Sequence, residues 1–170
     1  MSLLALLQSA CLLAFVALLL MAGWQDLRTM RISNAISLAV VACFALWAAI
    51  GFGAGEVAPV AVGYTVMCSI GVFALGAALF AIGALGGGDV KLIAAASLFA
   101  GPGLLVDFLL IASLAGGLLA LAMLAGLPIG QAAATTGPGT TVRAQLRAGL
   151  PYGPAIAVGG LWVALSLALS

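Results

Sequence analysis

The sequence predicts an all-α, polytopic membrane protein with six transmembrane helices, and three observations predict it. Hydrophobic residues make up 66% of the 170 positions and charged residues 5%, whereas soluble domains carry about 25% charged residues. So few charges cannot cover a water-facing surface of this size, so the lipid bilayer must be the main solvent. Apolar runs of helical length recur along the chain, separated by short segments rich in Gly, Pro and polar residues. All five basic residues fall in the segments after the first, third and fifth runs. A missed or extra span would split them between the two sides.

The first helix is expected over Leu3–Ala22, followed by a polar segment from Trp24 to Asn34 that carries Asp26, Arg28 and Arg31. No positive region precedes Leu3, and the run is longer than a signal-peptide core of roughly 7–15 residues, so it reads as a retained span. Ser33 or Asn34 is suited to cap the second helix, Ala35–Ile50. A glycine-rich turn with Glu56 leads to the third, Val60–Ala84. Three adjacent glycines, Gly86–Gly88, break the chain before a short fourth helix from Asp89 to Ala100, which ends at Gly101-Pro102-Gly103. The fifth helix covers Leu104–Leu124, with Asp107 near its start and small residues at Ala112, Gly116 and Ala120 on one face, a pattern suited to close packing within the bundle. A loop over 125–150 carries Arg143 and Arg147, and the sixth helix opens at Pro151-Tyr152-Gly153-Pro154. Residues 1–170 are expected to form a single membrane-embedded domain. Cytoplasmic loops collect Lys and Arg, so Asp26 and Asp89 are expected on the cytoplasmic face, with Glu56, Asp107 and both termini opposite.

Several kinds of chemistry are excluded or disfavoured. The chain has no histidine, and Cys11, Cys43 and Cys68 are unpaired in sequence and lie in apolar runs. A Cys/His nucleophile pair and a thiolate metal site are therefore not expected, and no cofactor or metal is called for. No basic cluster suggests nucleic acid. Acidic residues near a membrane interior point to function. Glu56 and Asp107 sit in ordinary turn or helix-start contexts, but Asp26 and Asp89 have unusual surroundings. Asp89 follows three glycines that permit close backbone approach, and it lies at a helix N-terminus where the dipole favours negative charge. Two carboxyls on one face can share a proton, one activating a water and the other polarising a carbonyl. Spacing alone leaves open whether the two are close. A small proton- or cation-coupled transporter is the alternative, although transporters more often hold their acids at mid-helix depth.

The segment Asp26-Leu27-Arg28-Thr29-Met30-Arg31-Ile32-Ser33-Asn34 resembles the first-aspartate motif of prepilin peptidases, D-x-R-x-x-x-I-x-N. Gly86-Gly87-Gly88-Asp89-Val90-Lys91-Leu92 resembles their G-x-G-D-x-K-L motif, and Pro151-Tyr152-Gly153-Pro154-Ala155-Ile156-Ala157 the stretch that opens their last helix. The order and the six-helix plan also match. The resemblance implies an aspartic endopeptidase in which Asp26 and Asp89 are catalytic and Gly86, Gly87, Gly88 and Lys91 meet the substrate. It implies a prepilin or pseudopilin substrate, cut just before its hydrophobic helix on the cytoplasmic side of a bacterial inner membrane. Large bifunctional members carry paired cysteines in an added N-terminal region and methylate the product. The sequence shows no such pairs, so the short, peptidase-only type found with Flp (tight-adherence) pili is expected.

Overall fold

The computed structural model describes residues 3–125, 127 and 150–169, and every regular element among them is helical. The elements are α1 (Leu3–Thr29), α2 (Asn34–Gly53), α3 (Pro59–Ala81), α4 (Gly87–Leu124) and α5 (Gly153–Leu169). The first four are long and apolar enough to cross a membrane, and α5 is a shorter apolar helix. Arg143 and Arg147, placed in the last loop from sequence, lie outside the described residues.

Five helices stand where six spans were expected because the fourth and fifth are joined without a loop. Gly101 breaks α4 with φ 55° and ψ −174°, a backbone region that is essentially glycine-only. Pro102 follows it and has no N–H to continue the ladder. The two arms, 87–100 and 102–124, run in opposite directions. The first begins beside Asp26 and leads to Phe99, whose ring stacks on Phe15 at 4.1 Å. Phe15 is eleven residues from Asp26 on α1, ~16 Å along the helix. The second arm returns, so that Gly116 lies against Tyr152, one residue from the Gly153 that bonds Asp26. The expected small-residue stripe therefore packs inside the bundle: Ala112 lies against Gly159 and Gly116 against Tyr152.

Helix 1 also continues further than hydropathy suggests. The helix runs to Thr29, and Asp26 lies inside its last turns rather than in a polar segment beyond it. Hydropathy marks where lipid ends, whereas the backbone ladder needs only residues that tolerate a helix. Thr29 supports the last turn by donating its hydroxyl to the Gln25 carbonyl at 2.9 Å. The helix stops at Met30, at φ 52°, a left-handed conformation in which its N–H caps the Asp26 carbonyl at 2.8 Å.

The core forms where α1, α2, the first arm of α4 and α5 meet. On α1 the buried stripe is Cys11, Phe15, Leu19, Ala22, Gly23 and Asp26, the three-and-four spacing of one helix face. The first arm of α4 is buried almost all round from Leu92 to Ala100, as suits a central helix. Phe99 gathers the aromatic cluster, stacked on Phe15 and edge-on to Phe44 at 5.4 Å; such pairs add about 0.5–1.5 kcal/mol each beyond area burial. By contrast α3 is peripheral, with only Thr65 and Gly76 buried. Its outward side chains, including Tyr64, Met67, Ile70 and Phe73, are those a lipid-facing helix presents.

Candidate active site

Two helix ends build the site. Asp26 closes the buried stripe of α1 and is 5% exposed. A buried carboxylate needs hydrogen-bond partners, and Asp26 Oδ2 accepts the backbone N–H of Gly153 at 2.7 Å. Gly153 is the first residue of α5, where N–H groups have no partner within the helix and the dipole favours negative charge. Two glycines allow this approach. A Cβ on Gly153 would lie 2.7 Å from Asp26 Cβ, and a Cβ on Gly23 would lie 3.3 Å from Pro154 Cα. Gly153 was quoted in the last-helix motif but not placed among the expected site residues. Its role depends on α1 and α5 crossing, a contact that spacing along the chain does not reveal.

Asp89 is half-buried in the first turn of α4. Gly86 is the N-cap, which puts Asp89 at the third helical position. Its carboxyl turns back over the N-cap, with Oδ2 2.6 Å from where a Cβ on Gly86 would stand, the place an N3 acid takes in a capping box. Gly88, the residue before Asp89, packs on Ile32 of the connection that follows α1, so the fold brings two carboxyls from distant segments to one end of the bundle.

The other expected residues have distinct places. Gly86 adopts φ −76° and ψ 143°, open to any residue, so its backbone does not require glycine. What requires it is the aspartate: a Cβ there would come 2.6 Å from Asp89 Oδ2. Gly87 lies against the Phe80 ring, and Gly88 against Ile32, whose backbone oxygen would be 3.3 Å from an added Cβ. The close approach at Gly88 is therefore made to the chain's own α1–α2 connection. Lys91 is exposed and donates to Asn34 Oδ1 at 2.9 Å. Asn34 follows the α2 cap, Ser33, whose hydroxyl accepts the Ala35 N–H at 3.2 Å. Ile32 and Asn34 of the first motif thus hold the start of the second. Among the described residues no group of three or more His, Cys, Asp or Glu side chains could hold a metal ion.

Gly86→Ala separates carboxylate placement from folding. The new methyl fits the backbone but displaces Asp89 Oδ2. Activity is expected to fall about 10- to 100-fold, the scale of a roughly 1 Å misplacement, with stability kept within about 0.5 kcal/mol. Cleavage kinetics beside a thermal unfolding curve in the same detergent check this. A variant with full activity would show that the position of Oδ2 does not matter.

A family model of type IV leader peptidases matches residues 13–121, a range that contains Asp26, Asp89 and most of the two helices that carry them. The chain belongs to the type IV leader peptidase family. It is thereby a membrane protein of the hydrolase class, a peptidase, as the motifs imply. No curated protein and no solved structure matches it. The last-helix motif lies beyond the matched range, and its Gly153 joins that range through the bond to Asp26.

Proposed function

We propose that this protein is a membrane aspartic endopeptidase that removes the leader of type IV, Flp-like prepilins or pseudopilins. Asp26 and Asp89 are its catalytic pair. The observation that supports this reading is that, in a leader-peptidase chain, two aspartates from distant segments stand at the same end of the bundle: Asp26 bonded to the Gly153 N–H, and Asp89 next to Gly88, which packs on Ile32 of the connection after α1. One carboxylate takes a proton from a water as the water oxygen bonds to the scissile carbonyl carbon. The other, protonated, hydrogen-bonds the carbonyl oxygen as it gains charge. The tetrahedral intermediate then collapses, the C–N bond breaks, and the proton passes to the leaving amine. No covalent enzyme intermediate forms.

The six-span reading counts the two arms of α4 separately and takes α5 as the last span. Arg28, Arg31 and Lys91 lie at the aspartate end, so the positive-inside tendency turns that end to the cytoplasm of a bacterial inner membrane. Glu56 follows α2 in the opposite turn, and Asp107 is exposed near the start of the second arm.

The test is cleavage by the purified chain in lipid of a precursor with a short basic leader and a following apolar helix. Mass spectrometry is expected to show one cut at the leader junction. If the precursor stays whole while another leader peptidase cuts it in the same vesicles, this assignment of substrate is wrong.

A further inference from the structure

A groove of about 500 Å³ runs between α2 and α3, with α4 as its floor. Its end nearest the aspartates carries the bonded pair Lys91 and Asn34, two residues from Asp89 in one case and at the start of α2 in the other. Beyond them the walls are Leu38, Val41, Ile70 and Phe73, with Ser69 beside Ile70 donating its hydroxyl to the Ala94 carbonyl at 2.7 Å. From Asn34 to Val41 is ~10 Å along α2, so the groove passes from polar to apolar within about two helical turns as it leaves the site. Ser37 lines the same groove. It is 7% exposed, and its hydroxyl has no hydrogen-bond partner among the described residues.

A second groove, of about 400 Å³, lies between α1 and α5 and is lined by Ser9, Leu13, Leu161 and Leu165. It is set apart from the site, because its nearest α1 residue, Val16, is ten residues from Asp26, ~15 Å along the helix.

We propose that the α2–α3 groove seats the apolar segment that follows the cleaved bond of the substrate. This rests on the leader-peptidase reading above. A chain cut at the boundary between a polar leader and an apolar helix changes character in the same order as the groove. Lys91 and Asn34 offer donors to its backbone carbonyls beside the cut, and Leu38, Ile70 and Phe73 receive its side chains one or two turns further in. A phospholipid would set its phosphate beside Lys91 and an acyl chain along the same apolar walls, so lipid is the competing occupant that the crosslinks must tell apart.

The experiment uses the full chain in vesicles of phosphatidylethanolamine and phosphatidylglycerol, with the leader-bearing precursor as probe. A photo-crosslinking residue replaces Ile70, Phe73 or Leu161, each in the inactive Asp26→Asn background. Crosslinks from positions 70 and 73 to the apolar segment of the precursor, and none from 161, are expected. In the active protein, Ile70→Trp narrows the groove at an exposed position, so folding is kept; KM is expected to rise at least tenfold with kcat within twofold. Leu161→Trp leaves both constants unchanged. Crosslinks to lipid alone, equal capture from 161, or an unchanged KM for Ile70→Trp overturns the groove assignment while cleavage by the unmodified chain still stands. Failure of the unmodified chain to cleave the precursor instead overturns the leader-peptidase reading and, with it, the groove's occupant.

Discussion

Asp26→Asn and Asp89→Asn are each expected to lower precursor cleavage about 10²- to 10⁴-fold, the scale of a lost general acid or base. The substitution is a clean probe at both positions. Asn keeps the size of Asp and retains a carbonyl oxygen, so Gly153 N–H still has an acceptor at position 26 and the side chain at position 89 still fits over Gly86. What is lost is the capacity to take up and release a proton. Folding is therefore expected to survive while turnover does not, and unfolding curves of the purified variants check the first point. If the two carboxyls act as one unit, as proposed, their losses should not add. The double variant is expected to be no slower than the slower single one. A single variant with near-normal cleavage would exclude a two-aspartate mechanism.

Gly153→Ala is expected to damage both stability and activity. The added methyl would meet Asp26 Cβ at 2.7 Å and Cγ at 3.2 Å. Asp26 Cβ is fixed to the α1 backbone and cannot swing aside, so α1 and α5 must separate at their closest crossing. Overpacking of this kind costs about 1–3 kcal/mol. Weakening a bond to a charged acceptor costs a further ~1.5–3 kcal/mol. The expected result is a lowered unfolding midpoint together with at least a 100-fold loss of cleavage, because the bond that orients Asp26 is broken. Comparison with Gly86→Ala separates the two effects, since there the added methyl meets only the far end of a side chain. A stable Gly153→Ala protein with full activity would show that the α1–α5 crossing does not position Asp26.

Much of this could be read from the sequence. Membrane residence followed from having too few charges to cover a surface. The helix break at Gly101-Pro102 and the cap at Ser33 followed from residue type, but of the three glycines read as a break only Gly86 lies outside a helix: α3 ends at Ala81, and Gly87 and Gly88 open α4. The family's motifs were legible because each is contiguous, and the family match confirms the resemblance. Asp26 and Asp89 stood out because they are rare acids in unusual local settings.

Other features were decided only by tertiary structure. Local composition showed a break at Gly101 but not that the chain would turn back without a loop, since that turn depends on what the second arm packs against. Hydropathy ended the first helix at Ala22, although its ladder continues to Thr29, because hydropathy reports the solvent and not the backbone. The glycines before Asp89 read as one flexible loop, yet each meets a different neighbour: Asp89 itself, Phe80 and Ile32. Above all, the partner of Asp26 is a backbone N–H 127 residues away. A backbone donor leaves no mark in residue type. Only the crossing of α1 and α5, set by Gly23 and Gly153, brings it to the carboxylate.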